Sequence, residues 1–466
     1  MRLLMKFGGT SVADAGSVRR VVEIVSEHIA KGDEIALVVS AQRGVTDQLI
    51  AIADEVMECQ GTECIGPFIE SLRLCHMRAI EGAAPDHIDE VRTAVESILV
   101  DLSGILHAVH QLRELTPRSR DYIITFGERL NALVVCTAMK QAKIPAIVLD
   151  GCEAGIVTTD QHGEALALPA GEARIRSRLV PLLGNTVPVI MGFMGCTGGG
   201  TVTTLGRSGS DYSAAILGSG IDADEIWIWT DVDGIMSSDP RLISDARVIP
   251  SISYLEVMEL SFFGAKVMHP RSIEPAMRKN LPVRVKNTFN SAHPGTAIIR
   301  KVTCESRVVK AITYIDRVAA VNINGAQMIG RPGVARAIFS ALADHEVNVM
   351  MISQGSSEAN ISLIIEDSQE EVAIEALRDL VHRGLVREVT SNRDVAAVAV
   401  VGAGMIGAVG TGGRIFTALG NGGVNVIMIS QGSSEVNISF VVRKEDGPRA
   451  VRILHDEFRL SEECHE

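Results

Sequence analysis

From residue 1 to about residue 300 the apolar positions alternate between two periods. Residues 3–7 form a short apolar run interrupted by Lys6, followed by Gly8, Gly9, Thr10 and Ser11. Val18, Val21, Val22, Val25 and Ile29 then recur at helical spacing, and Gly32 ends the run. Residues 35–39 read as the next buried strand. The same alternation continues with a helix over 130–142, strands over 146–149 and 187–191, a helix over 212–217 and a strand over 226–230. Apolar strands separated by helices predict an α/β architecture, a mainly parallel sheet with helices on both faces in three αβα layers. Residues 59–120 differ. The series Val91, Val95, Ile98, Leu102 and Ile105 predicts a helical insertion packed on that domain.

The last third carries a direct repeat. Residues 347–362 return as 424–439, and the same offset of 77 (424 − 347) pairs Val318 with Val395, Gly325 with Gly402, Met328 with Met405 and Phe339 with Phe416. Two copies are too few for a solenoid. Each copy, 318–394 and 395–466, reads strand, helix, strand, strand, helix, a ferredoxin-like βαββαβ unit. The first copy has a closing strand at 386–390, whereas the second nearly exhausts the chain. An unassigned strand at 308–315 is therefore expected to supply the missing edge of the second copy. Gly402, Gly404 and Gly407 follow a strand in the dinucleotide pattern. The corresponding stretch 324–330 lacks the second glycine, so the pattern reads as a tight turn.

Composition narrows the chemistry. With 44 basic and 57 acidic side chains the net charge is −13, and aromatics are only 4%. A nucleic-acid surface is excluded on both counts, and any phosphate must meet a few local cations. The eight Cys include no CxxC pair, and Cys59 and Cys64 are poorly spaced for a metal, so reduced thiols in a cytoplasmic protein are expected and no metal site is assigned. Two uncharged stretches, 179–206 and 395–413, are broken by Gly, Pro or Asn. No membrane span or signal peptide is expected.

Candidate chemistry lies in four stretches. Lys6 precedes a glycine turn and a helix, an arrangement that can hold an anion, although it is not a Walker A loop. Residues 192–211 form a glycine- and hydroxyl-rich loop with Arg207, ending in Asp211 at a helix start. Residues 230–241 follow a strand, and their acids do not complete a calcium loop. Residues 263–270 place Lys266 beside a glycine.

Together, residues 6–12 (KFGGTSV), 126–130 (FGERL), 204–211 (TLGRSGSD), 230–235 (TDVDGI) and 264–270 (GAKVMHP) resemble the signature set of the aspartate kinases. The repeat resembles their paired ACT domains. The resemblance implies an amino-acid kinase domain over 1–300 and a reaction of ATP with L-aspartate giving 4-phospho-L-aspartate and ADP. It implies Lys6 and Asp211 as catalytic residues. ATP would lie along Lys6, Phe7, Gly8, Gly9, Thr230, Asp231, Met236, Asp239, Arg241 and Lys266, with Gly8 and Gly9 donating N–H groups and Mg²⁺ held mainly by phosphates. Aspartate would meet Ser40, Thr46, Glu128, Arg207, Ser208, Gly209 and Ser210, with Glu128 on the ammonium and Arg207 on a carboxylate. Where the family commonly shows glycine, this chain has Ser208, harmless if its φ is negative.

An end product such as lysine or threonine is expected at Asn324, Gln327, Met328, Gly330, Gly333, Val334, Ile352 and Gln354, with Ser353 and Asn360 nearby. The first copy is favoured, since it keeps Arg331-Pro-Gly-Val where the second has Ala408-Val-Gly-Thr. Edge pairing of the repeats between chains would give a homo-oligomer. From the length, no homoserine dehydrogenase half is expected after the second repeat. A kinase for another amino acid, or a ligand sensor with an inert kinase half, remains open; retention of Lys6, Asp211 and Lys266 speaks against the latter.

Overall fold

The computed structural model describes residues 1–263, 268–301, 307–355 and 359–462. They fall into two compact units, one of residues 1–235, 250–254 and 268–301, the other of residues 236–249, 255–263 and 307–462.

The first unit opens with β1 (Arg2–Phe7), α1 (Ala15–Ala30), β2 (Glu34–Val39) and α2 (Val45–Glu58). Then come α3 (Ile65–Ala83), α4 (Ile88–Leu112), α5 (Pro117–Ile124), α6 (Phe126–Gln141), β3 (Ala146–Leu149) and α7 (Gly171–Leu179). It continues through β4 (Val187–Met191), β5 (Met194–Cys196), β6 (Val202–Thr204), α8 (Gly209–Gly220), β7 (Glu225–Thr230) and β8 (Ser251–Ser253). After α9 (Tyr254–Phe262), which belongs to the second unit from residue 255 on, it closes with α10 (Pro270–Lys279), β9 (Val283–Asn287) and β10 (Thr296–Ile299). The eight-stranded sheet has the order β3-β4-β2-β1-β7-β9-β10-β8. Every neighbouring pair is parallel except β9 with β10.

Side chains alternate across β1, and the alternation sorts the layers. Leu3, Met5 and Phe7 enter one large core with α1, α3, α4 and α6. The opposite face meets α8, buried over its full length because Gly, Ala and Ser let it lie close to the strands. The predicted insertion is α3, α4 and the start of α5, and its apolar series joins the same core as α1 and α6.

In the second unit, β11 (Ala311–Ile315), β12 (Val318–Asn324), α11 (Val334–Asp344), β13 (Val349–Gln354), β14 (Asn360–Glu366), α12 (Glu370–His382) and β15 (Glu388–Asn392) come first. The second copy follows as β16 (Val395–Val401), α13 (Thr411–Asn421), β17 (Met428–Gln431), β18 (Asn437–Arg443) and α14 (Gly447–Glu457). The two sheets run β13-β14-β12-β15 and β11-β16-β18-β17. In the second sheet β11 occupies the edge that β15 holds in the first, antiparallel to β16 from Ala311 opposite Val401 to Ile315 opposite Ala397.

That crossing explains the glycines resembling a dinucleotide fingerprint. A Cβ on Gly402 would stand 2.4 Å from the Val308 carbonyl oxygen, and one on Gly404 would stand 2.5 Å from that of Arg307. Only glycine admits the passing backbone. Residues 255–263 join this copy: Glu256 pairs with Lys310 in a buried bridge and accepts the Ala403 N–H at 2.7 Å.

Candidate active site

Because residues alternate along β1, Lys6 leaves the strand on the face opposite Phe7 and meets α8. Its Nζ lies 2.6 Å from Asp211 Oδ1, and both side chains are nearly buried. Asp211 stands in the first turn of α8, where the helix field favours a negative charge. Of Phe7 only the backbone, and not the ring, could face a nucleotide. The ring is wholly buried and stacks on Trp229 at 5.7 Å.

The glycine turn also differs from expectation. Gly9–Val12 is a single 3-10 turn, and α1 starts only at Ala15, capped by its own Asp14 carboxylate. Gly8 does not offer its N–H to a phosphate, because that group donates to the Trp229 carbonyl at 3.1 Å. The Gly9 N–H heads the turn with no acceptor among the described residues. A Cβ on Gly9 would press on the Ala41 carbonyl at 3.0 Å, so glycine is needed there for close approach of the β2–α2 loop.

That loop carries the second half of the site. The Ala41 N–H donates to Glu128 Oε1 at 3.1 Å, while Oε2 has no partner. Burial pushes the Glu128 carboxyl from 4.5 up to about 8, offset only partly by the Ala41 N–H. The carboxyl is therefore neutral when nothing faces it, and a cation at Oε2 would draw off its proton. Asn131 shares the same face of α6 at i, i+3. Its amide donates to the Ser40 carbonyl at 2.6 Å and leaves Oδ1 unpartnered. Asn131 was absent from the sequence reading, although its three-residue spacing from Glu128 was visible there. Thr46 lies in the first turn of α2, half-buried.

At α8, Ser208 occupies the N-cap with φ +53°, in the left-handed region. This overturns the condition under which a serine there is harmless. Ser208→Gly is expected to stabilise the chain by about 0.5–1 kcal/mol, the strain removed less the added unfolded-state entropy; chemical denaturation reads it, and an unchanged midpoint would show the strain to be absent. Gly209 lies under Phe193, where a Cβ would come within 2.5 Å of the ring, and the Ser210 hydroxyl backs on Gly192. Arg207 is exposed and has no carboxylate partner among the described residues. Behind it Asp121, also missed from sequence, is a buried hub: it accepts from His162, Gly163 and both the N–H and hydroxyl of Thr204. These bonds fix the strand that delivers residues 204–211.

Lys6, Ser40, Gly192 and Thr230 all lie at or just beyond the carboxyl ends of parallel strands, where open α/β sheets bind ligands. The amino acid kinase family profile matches residues 1–287, and an ACT domain profile matches 321–380 and 398–458. Aspartokinase 3, chloroplastic, of Arabidopsis thaliana is 31% identical over 476 residues, the alignment covering 99% of this chain and 82% of the relative. The chain belongs to the aspartokinases of the amino acid kinase family. A bifunctional aspartokinase/homoserine dehydrogenase of Zea mays is 32% identical over 98% of the chain but only 50% of its own length. The chain thus spans about half the length of such bifunctional relatives. Aspartokinase III of E. coli, crystallised with aspartate and ADP in an R-state, superposes with a TM-score of 0.83 at 28% identity, covering 98% of this chain and 100% of that one. Its T-state with lysine and aspartate gives 0.81 at 28% identity, covering 98% and 99%.

The remaining residues that the aspartokinase resemblance singled out are spread more widely. Thr230 ends β7 and its hydroxyl meets Asp231 at 3.2 Å. Met236, Asp239 and Arg241 belong to the second compact unit. There Arg241 is bound by Asp239 through Nε and Nη2. Lys266 lies outside the described residues, as does the Gln327 side chain.

In the first repeat, Met328 and Val334 pack in the core with Ile338 and Leu342, so only their backbone could face an effector. Gly330 and Gly333 have φ of +62° and +92°. Asn324 pairs with Asn360 and Glu388 across the sheet, while Ile352 and Gln354 are exposed on edge strand β13. β13 meets β17, where the Ser430 hydroxyl donates to the Ile352 carbonyl at 3.3 Å. Among the described residues no helix is long and apolar enough to cross a membrane.

Proposed function

We propose that this chain transfers the γ-phosphoryl group of ATP to the side-chain carboxylate of L-aspartate. The observation carrying this reading is the fully buried Glu128, whose one free oxygen has no partner, joined through the Ala41–Gly9 loop to the turn beside the Lys6–Asp211 pair. A buried carboxyl with a vacant oxygen suits an ammonium, and the unpaired Arg207 suits a carboxylate bidentately. The relatives' names and the aspartate and ADP in the E. coli crystal support the same substrates.

The acceptor carboxylate is already ionised at neutral pH and needs no general base. Its oxygen attacks the γ-phosphorus, the bond to the bridging oxygen breaks, and ADP leaves. The barrier is electrostatic, so this chain's part is positioning and charge neutralisation. Lys6 faces the transferring group, Asp211 fixes the lysine, and the Gly9 N–H adds a donor. In this reading Mg²⁺ would be held mainly by the phosphates and water and would supply charge there.

ATP-dependent hydroxamate formation tests the reading. Product is expected with aspartate and not with glutamate; product with glutamate alone would assign another amino-acid kinase, and none with either an inert one. Arg207→Ala should raise the aspartate KM strongly while leaving ATP affinity nearly intact, and equal losses for both would remove Arg207 from the aspartate pocket.

The repeats serve, in the same proposal, as the receptor for an amino-acid end product, lysine or threonine, chiefly in the first copy around Asn324, Gly330 and Gln354. The lysine in the E. coli T-state crystal supports the class. Ile352 and Ile429, one repeat apart on the edge strands β13 and β17, are exposed and suit pairing with a second copy.

A further inference from the structure

The end of α2 and the start of α3 bring together three ligand-type side chains with no part in the proposed transfer. Glu55 and Cys59 stand at i, i+4, and so share one face of the last turn of α2. The chain turns over residues 60–63 and returns Cys64 at the N-cap of α3. Cys59 Sγ lies 3.8 Å from Glu55 Oε1, and one ligand atom from each of the three residues lies within 4.8 Å of the others. Sequence spacing alone hides this, because the third donor comes from one helical turn before the first cysteine.

We propose that Glu55, Cys59 and Cys64 form a site for one Zn²⁺-class cation, with the fourth position left to water. Tetrahedral zinc with bonds of about 2.3 Å to sulfur holds two thiolates about 3.8 Å apart, a separation the cluster allows with little movement. Burial, followed by the neighbouring Cys64 and Glu55, holds the Cys59 thiol above its ordinary range. Zinc takes its sulfur ligands as thiolates, so binding would release the thiol protons. The bound ion would clasp the C-terminus of α2 to the N-terminus of α3. Cys64 is anchored for this role, since it packs against the apolar core of the first unit.

The full chain, reduced and stripped of metal, is titrated with Co²⁺ and then Zn²⁺. One equivalent of Co²⁺ should give a thiolate charge-transfer band and the intense visible bands of a tetrahedral site, discharged by Zn²⁺. Cys59→Ser and Cys64→Ser should each abolish the charge-transfer band at one equivalent. Glu55→Gln should weaken binding roughly tenfold or more while keeping a thiolate band, and Cys152→Ser should change nothing. Circular dichroism establishes that each variant is folded, and a variant that fails is replaced by alkylation of the native thiols followed by the same titration. Substoichiometric binding, an unaltered titration in the two Cys→Ser variants, or a Cys59–Cys64 disulfide in chain isolated without oxidant would each overturn the proposal. The readout is metal occupancy, so its failure is separable from failure of the kinase reading.

Discussion

Lys6→Ala lowers kcat by about 10²–10³-fold, the usual loss when one charge aimed at a transition state is removed. The lysine is set by β1, whose alternation sends residue 6 to the α8 face, and it is held 2.6 Å from Asp211. In the resting site that pair is neutral. As the phosphoryl group arrives, its oxygens compete for the ammonium, and the developing charge is met without rearranging solvent. The variant should remain folded, because Asp211 keeps the helix N-terminus as a partner for its charge. Steady-state kinetics with circular dichroism checks this. A folded variant with unchanged turnover would remove Lys6 from the chemistry.

Glu128→Gln should separate function from stability. The Ala41 N–H bond to Oε1 survives in the amide, but the negative charge facing an ammonium does not, so the aspartate KM should rise by about 10²-fold or more. Stability moves the other way. The folded carboxyl ionises near 8 and the unfolded one near 4.5, so between these values the folded state holds a proton that the unfolded state has lost. The contribution of that protonated group is complete below about pH 4.5 and disappears as pH rises through 8. The wild-type chain therefore loses stability across that window relative to Glu128→Gln. At pH 9 the amide variant should be more stable by on the order of 3–5 kcal/mol. Denaturation at pH 6 and pH 9 measures the difference, and a gap independent of pH would show that Glu128 is already ionised in the empty site.

Much of this molecule is legible in its residues. The strand-glycine-helix rhythm yields the parallel sheet, and the offset of 77 yields two equivalent four-stranded sheets. The edge position of β11 could be inferred because the second copy has no closing strand of its own. What stayed hidden depends on three-dimensional neighbours. Phe7 lies in a motif beside Lys6, yet strand alternation turns it into the core. The Gly8 N–H is lost to a carbonyl 221 residues away (229 − 8). The pairing of Arg241 with Asp239 likewise shows only in the folded chain. Ser208 stands where the family commonly shows glycine, but the sign of its φ belongs to the turn and cannot be read from the residue alone. Asn131 and Asp121 were passed over since a single polar residue on a helix gives no sign of what it will touch.

The most direct measurement is the proton count on aspartate binding. Calorimetric titration with L-aspartate near pH 7, in two buffers of different ionisation enthalpy and with a non-hydrolysable ATP analogue present, should show release of close to one proton per chain, and none from Glu128→Gln. Binding with no proton released from the wild-type chain would mean that the substrate ammonium does not lie against Glu128, contradicting the pocket on which the kinase reading rests.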